Sequence, residues 1–424
     1  VFRMLRLKVL GGARKVGKSA LLVEENDFKV LLDYGVDISG KEPEFPLHVR
    51  PREVAATLIT HAHLDHSGAA PLLYVSSQPK LLTTQLTLAL TDLLVNDFLK
   101  LSKYYVPYDT GDLEKMRENA LPLELEEVLE GEKISIRFWN AGHIPGSVMV
   151  DLETDTCRLL YTGDFNIIDT HLLSGASIEP FKNADIVIME ATYAGFDHPP
   201  REVVEREFVE RVIEVLESGG KVLIPAFAVA RSQEILCMLV KHDIKYPIYI
   251  DGMARRVNTI LLENAHSLRD PDLYKKACKS AHHVTSPKDR KKALQTPSVI
   301  ISPAAMLKGG ASVQYMKHVL EDQNSGVFFV SYLMHETPAR RILETGFNHD
   351  TINKRVKARL EWFDFSSHCG RGELSKVVES LDSRTKLILV HSDFQIGQKF
   401  AEWVRENFDL DVVYPQEGET LNIR

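Results

Sequence analysis

Cysteine is scarce in this chain, with four among 424 residues, at positions 157, 237, 278 and 369, and no two of them form a CxxC pair. That scatter excludes a disulfide framework and a thiolate zinc site, and points to a reducing, cytoplasmic setting. Long apolar runs are also missing. None approaches the roughly 20 residues that span a bilayer, so no membrane partner is expected. The start, VFRMLRLKVLGGA, reads as a strand and lacks the apolar stretch of a secretory signal. There is no strong positive charge either: the net charge is −8, so nothing global marks a nucleic-acid binder. The balance is uneven, however. Residues 196–344 hold 21 Lys and Arg against 18 Asp and Glu, a net of +3, while the rest hold 30 against 41, a net of −11. A length of 424 residues leaves room for two or three domains.

What is present is mostly β-like up to residue 190. LRLKVLGG, SALLVEEN, FKVLLDYG, AATLITHAH, ISIRFWNAG, SVMVDLE, CRLLYTGD and DIVIMEAT are rich in Val, Ile and Leu and bounded by turn residues. A helical stretch covers 83–105. From about 200 the text changes to strands alternating with helices, beginning with a periodic helix over 199–220 and running through KVLIPAF, YPIYIDG, SVIISPA and GVFFVSY. That alternation implies a parallel α/β layer.

GARKVGKS, residues 12–19, fits the phosphate-loop pattern GxxxxGK(S/T). The context does not, because such a loop must open a helix. Here SALLVEENDFKVLLDYG reads as two strands with a turn at Asn26-Asp27, so no nucleotide cofactor is expected.

The strongest signal is THAHLDHSG at 60–68. His61 and His63 are two apart and so share a face of an extended segment, and Asp65 and His66 follow in the next loop. Packing explains so dense a polar group badly, since each buried imidazole or carboxylate needs a partner. Nitrogen and oxygen donors without thiolate suit Zn²⁺, with Mn²⁺ or Fe as alternatives. Further ligands should come from other strand ends: His143 in AGHIPGS, Asp164 in YTGDFN and His391 in LVHSD.

These motifs, with the early LLDYG, resemble the successive signatures of the metallo-β-lactamase superfamily. The resemblance implies an αββα sandwich. It also implies one metal on His61, His63, His143 and Asp164, and a second on Asp65, His66, Asp164 and His391, with Asp33 orienting a ligand histidine. Two Zn²⁺ per chain are the expected cofactors. MEATYAG, FDFSSHCG and LVHSD further resemble the β-CASP nuclease group, and the forms THAHLDH and GHIPGS look closest to archaeal and eukaryotic cleavage and polyadenylation specificity factor endonucleases, with RNase J a near relative. A parallel α/β β-CASP domain is then expected as an insert over 196–344, between sandwich parts at 1–195 and 345–424.

The resemblance implies phosphodiester hydrolysis of single-stranded RNA. Asp65 would orient the nucleophile, His368 would contact the scissile phosphate or protonate the leaving oxygen, and Glu190 would position His368. Arg231 and Lys308 are expected to contact substrate phosphates, and KDRKK at 288–292 is a second basic cluster. Ala230 and Ala305 stand where the family pattern has glycine, and His335 and Glu336 also depart from it, which bears on substrate contacts rather than on the metal site. A DNA nuclease of the related repair group, a small-ester hydrolase and a catalytically silent RNA-binding subunit are the competing readings. Endonuclease or 5′→3′ exonuclease action, and a homodimer or a processing complex as the assembly, are left open by the sequence.

Overall fold

A computed structural model describes residues 5–25, 28–102, 104–333, 337–348 and 350–423. The turn expected at Asn26-Asp27, and the departures at His335 and Glu336, lie outside those residues. The chain forms two compact units. The first comprises Val1–Asp169, Gly175–Asp197 and Ser367–Arg424, and the second Thr170–Ser174 and His198–Ser366.

The first unit is built on two seven-stranded mixed sheets. One runs in the order Thr420–Asn422, Leu5–Gly11, Ala20–Glu25, Phe28–Tyr34, Ala56–Leu58, Lys80–Thr83, Ala120–Pro122. The other runs Asp411–Val413, Lys386–Val390, Ile186–Glu190, Arg158–Tyr161, Val148–Thr154, Ile134–Asn140, Val128–Glu130. Their strands read as near-continuous apolar runs because most are buried on both faces. Side chains alternate accordingly: Ile186, Ile188, Ile388 and Val390 join Leu7, Val9, Val30 and Leu32 in the core between the sheets. Val187, Met189, Leu387 and Leu389 face outward, beneath the helices Arg371–Glu379 and Phe394–Asn407. Leu10, Leu22 and Leu31 do the same under the helices Gln85–Leu101 and Thr110–Glu118. The layers are therefore α, β, β, α, the expected sandwich.

In the second unit a six-stranded, wholly parallel sheet runs His282–His283, Ile248–Ile250, Ser298–Ser302, Lys221–Pro225, Gly326–Phe329, Arg359–Trp362. Its last strand lies beyond residue 344, where the sequence reading sets the insert's end. Pairing with Gly326–Phe329 groups that strand with the second unit.

Two local features bear on the motifs. Ser19 runs straight into the strand Ala20–Glu25, with no helix after GARKVGKS. Ala230 has φ 70 and ψ −60, and the Arg231 N–H donates to Val229 O at 3.0 Å. This is a γ-turn of the rare positive-φ kind, which explains a preference for glycine at 230. Ala305 makes no such demand, since it is Ala304 that takes the positive φ, 81°.

Candidate metal centre

The site residues sit on loops at strand ends of the first unit. His61 and His63 follow the strand Ala56–Leu58, and the single helical turn Leu64–Ser67 then presents Asp65 and His66. His143 lies between the strands Ile134–Asn140 and Val148–Thr154. Asp164 follows Arg158–Tyr161, Glu190 ends Ile186–Glu190 and His391 follows Lys386–Val390. Gly163 turns the chain at φ 52 so closely over Thr60 that a Cβ would stand 2.7 Å from the threonine hydroxyl. Only glycine permits that approach, and it delivers Asp164 to the centre.

The groups fall into two four-residue sets that share Asp164, namely His61, His63, His143 and Asp164, and Asp65, His66, Asp164 and His391, while Asp164, Glu190 and His368 form a third, smaller group. Within each set the ligating atoms lie within 4.8 Å of one another. Asp164 turns one oxygen to each set. Its Oδ2 is 3.7 Å from His61 Nε2 and 3.8 Å from His143 Nε2, while its Oδ1 is 3.4 Å from His66 Nε2 and 3.0 Å from His391 Nδ1.

Three of the imidazoles, those of His61, His66 and His143, are braced from behind. Asp33, wholly buried, takes up four donors: Thr60 N–H (2.8 Å), Thr60 Oγ1 (2.9 Å), Tyr161 OH (2.9 Å) and His66 Nδ1 (2.7 Å). Thr60 Oγ1 also lies 3.0 Å from His61 Nδ1. His143 Nδ1 donates to the Ser367 carbonyl at 2.8 Å, leaving the Nε2 lone pair facing inward. Ser147 Oγ accepts from both His143 N–H and Ile144 N–H, fixing that loop. Thr60, Tyr161, Ser147 and Thr192 were not singled out in the sequence. Thr60 and Tyr161 do flank the ligand motifs, but a hydroxyl beside a motif reads no differently from an ordinary loop residue.

The electrostatics of the two sets differ. Burial pushes His61 and His143 well below the usual imidazole range and also lowers His63. All three are therefore neutral. Their rings stand about equally apart, with centroids at 5.0, 4.9 and 5.1 Å. In the other set burial opposes charge on His66, but Asp164 and Asp33 outweigh it and hold the ring well above the usual range. His391 is carried up to about 10 by Asp164 and Asp65 against the same burial. Asp65, only half-buried though partly desolvated, lies below the usual carboxylate range because His391 and His66 face it.

A divalent-cation centre fits these residues. His61 Nε2 is buried and has no hydrogen-bond partner among the described residues. His143 Nε2 faces His63 Nδ1 at 3.2 Å. Inward lone pairs on the neutral His61, His63 and His143, with the Asp164 carboxylate, form a zinc-type donor set, and His66 and His391 would release their protons to bind a second ion. The four cysteines are free and buried and take no part in either set.

His368 stands beside this centre. Its Nδ1 lies 2.8 and 2.9 Å from the two oxygens of Glu190, and its Nε2 4.0 Å from Asp164 Oδ2. Glu190 is itself fixed by Phe165 N–H at 2.9 Å and by the Thr192 hydroxyl. Burial disfavours the imidazolium, yet Glu190 and Asp164 raise the pKa of His368 above the ordinary value. All nine residues expected at the centre, with Asp33 behind them, thus belong to one cluster. Arg231 and Lys308 belong to the second unit. Arg231 starts the helix Arg231–Lys241 and is largely buried, and Lys308 is exposed just before the helix Gly310–Val319. In the basic cluster 288–292, Arg290 is committed to a bidentate contact with buried Asp251 (2.7 and 3.1 Å).

Comparison with known proteins agrees with this geometry. Residues 13–226 match the model of the metallo-beta-lactamase superfamily, 232–342 that of the Beta-Casp domain and 353–415 that of the Zn-dependent metallo-hydrolase RNA specificity domain. Among curated relatives, RNase aCSPSF2 of Saccharolobus solfataricus is 40% identical over 98% of this chain and 85% of its own. A probable RNase of Methanocaldococcus jannaschii is 33% identical over 97% and 99%. The transcription termination factor FttA of Pyrococcus abyssi is 32% identical over 100% and 72%. A crystal structure of a protein of unknown function from Enterococcus faecalis superposes with a TM-score of 0.66 over 99% of this chain and all of that one, at 14% identity, and so shares the fold. No helix among the described residues is long and apolar enough to cross a membrane. The chain belongs to the metallo-β-lactamase superfamily, in its β-CASP group of zinc-dependent ribonucleases.

Proposed function

We propose that this chain hydrolyses phosphodiester bonds of single-stranded RNA with two Zn²⁺ held by His61, His63, Asp65, His66, His143, Asp164 and His391. The carrying observation is Asp164, whose two oxygens face two separate sets of imidazoles. A bound ion pair would supply a water of lowered pKa and positive charge for a phosphoryl oxygen. Asp65, 30% exposed in its side chain and therefore open to solvent, orients the attacking water. His368 is clamped on Nδ1 by both oxygens of Glu190, and its Nε2 faces the centre, 4.0 Å from Asp164 Oδ2. Glu190 and Asp164 raise its pKa, which favours a proton on that nitrogen, and the proton would pass to the leaving 3′ oxygen. The products then carry 5′-phosphate and 3′-hydroxyl ends. Arg231 and Lys308 are assigned to substrate phosphates, a role that salt-dependent affinity would report.

The test uses RNA labelled at either end, incubated with the protein, with protein plus chelator, and with His63→Ala. Internal fragments mean endonuclease action, and mononucleotides from the 5′ end mean exonuclease action. Equal digestion by wild type and His63→Ala would remove this reading, and a preference for single-stranded DNA would move it to the repair group.

A further inference from the structure

GARKVGKS matches a phosphate-loop pattern, yet no phosphate site is built from it. Its cations are engaged within the chain. Arg14 Nη2 donates to Tyr414 O at 3.0 Å, with its guanidinium over the Phe394 and Tyr414 rings. Lys15 pairs with Asp37 at 2.6 Å and Lys18 with Glu417 at 3.1 Å.

The loop's two ends instead reach the centre, and both reach the same half of it. At one end, Gly12 O accepts the His391 N–H at 2.7 Å. His391 has φ 52, a left-handed conformation uncommon away from glycine, and this bond helps to hold the ring there. At the other end, Ser19 N–H donates to Asp65 O at 2.7 Å, Ser19 O accepts from Gly35 N–H at 2.9 Å, and Ser19 Oγ lies 3.5 Å from His66 Nε2. Gly12 and Ser19 are pressed together. A Cβ on Gly12, whose φ is 71°, would stand 3.0 Å from Ser19 Cα and 3.1 Å from Ser19 Oγ. Asp65, His66 and His391 arrive from two chain segments more than three hundred residues apart, and the pinched loop ties those segments together. The supports of the other half come from elsewhere: Thr60 behind His61, and the Ser367 carbonyl behind His143.

We infer that residues 12–19 are a clasp that sets cation affinity at the Asp65, His66, Asp164, His391 half alone, with Gly12 and Ser19 as its positioning residues. The inference rests on the two-ion reading above. A sequence that resembles a phosphate cradle then serves to close one metal half-site from behind.

The experiment titrates Zn²⁺ into chelator-stripped full chain and follows uptake calorimetrically for wild type, Gly12→Ala, Ser19→Ala and His143→Ala. Wild type should take up two ions. Gly12→Ala should weaken one of them by about 10–100-fold, the loss typical when a ligand's outer support is removed, and leave the other within about twofold. Ser19→Ala, which deletes only a hydroxyl, should weaken that same ion to a lesser degree. His143→Ala should weaken the opposite one, which the double variant with Gly12→Ala identifies by losing both. Thermal unfolding of the stripped proteins separates misfolding from weakened binding, and Ser19→Ala carries the test if Gly12→Ala does not fold. Unchanged uptake by the clasp variants, or equal weakening of both ions, overturns the clasp while leaving the two-ion site. A wild type that binds fewer than two ions overturns the two-ion reading, and the clasp with it.

Discussion

His368 and Asp33 are both fixed by buried partners, and replacing residues of these networks should have separable effects. His368 Nε2 lies at the centre but outside both four-residue sets, so His368→Gln should keep its zinc. Cleavage should fall by about 10²–10⁴-fold, the usual contribution of a proton donor. Metal analysis beside single-turnover cleavage checks both halves, and loss of zinc along with activity would make His368 a ligand. Tyr161 is a different case, since it touches neither set and serves Asp33. Tyr161→Phe removes one of four donors to a carboxylate with no access to water. A cost of about 1–3 kcal/mol in urea unfolding of the chelated protein is expected. No change there would mean that Asp33 finds another donor.

Elements are set against one another by a few polar contacts. Glu205, on the helix Arg201–Glu217, accepts from His171 at 2.7 Å and from His242, which ends the helix Arg231–Lys241, at 2.6 Å. Burial raises the pKa of this carboxyl, but the two histidines outweigh it and bring the value down to about 2. A depressed carboxylate pKa stabilises the fold above the unfolded value and loses that contribution as pH falls through the folded one. Glu205→Gln should therefore destabilise the chain at pH 7, by about 1–3 kcal/mol. The difference from wild type should shrink as pH falls from the ordinary carboxylate range towards 2, and urea unfolding at the two extremes measures it. At the head of the second helix, Ala230 carries strain of about 1–3 kcal/mol in its positive-φ turn. Glycine relieves that strain and returns roughly 0.5–1 kcal/mol as unfolded-chain entropy. Ala230→Gly should thus raise stability by about 1 kcal/mol, seen as a higher Tm, and a lower Tm would mean that the methyl group's packing outweighs the strain.

For the whole molecule, both ligand sets belong to the first unit. Ions that bind only the folded form stabilise it by mass action, by about 2.7 kcal/mol at a free concentration a hundredfold above Kd. Chelation should therefore raise amide hydrogen exchange within 5–169, 175–197 and 367–423 and leave the parallel sheet of 198–366 unaffected. Equal loss of protection in both units would show that they unfold as one.

The sequence by itself determined many of the strands and the places of the His and Asp motifs, whereas the layer order followed from the family resemblance. A strand buried on both faces must be apolar throughout, and ligands at strand ends must punctuate those runs; both are local patterns, visible in FKVLLDYG or LLYTGD. The alternation after residue 200 likewise announces a parallel sheet. Only the tertiary structure decided what stands behind each ligand and which strands close each unit. Thr60, Tyr161 and Ser367 matter because folding places them against Asp33 and His143, and the strand 359–362 joins its sheet through backbone bonds that leave no mark on its residues. GARKVGKS makes the same point from the other side. Its spelling fits one loop geometry, but the strands on either side of it, and His391 far along the chain, impose another.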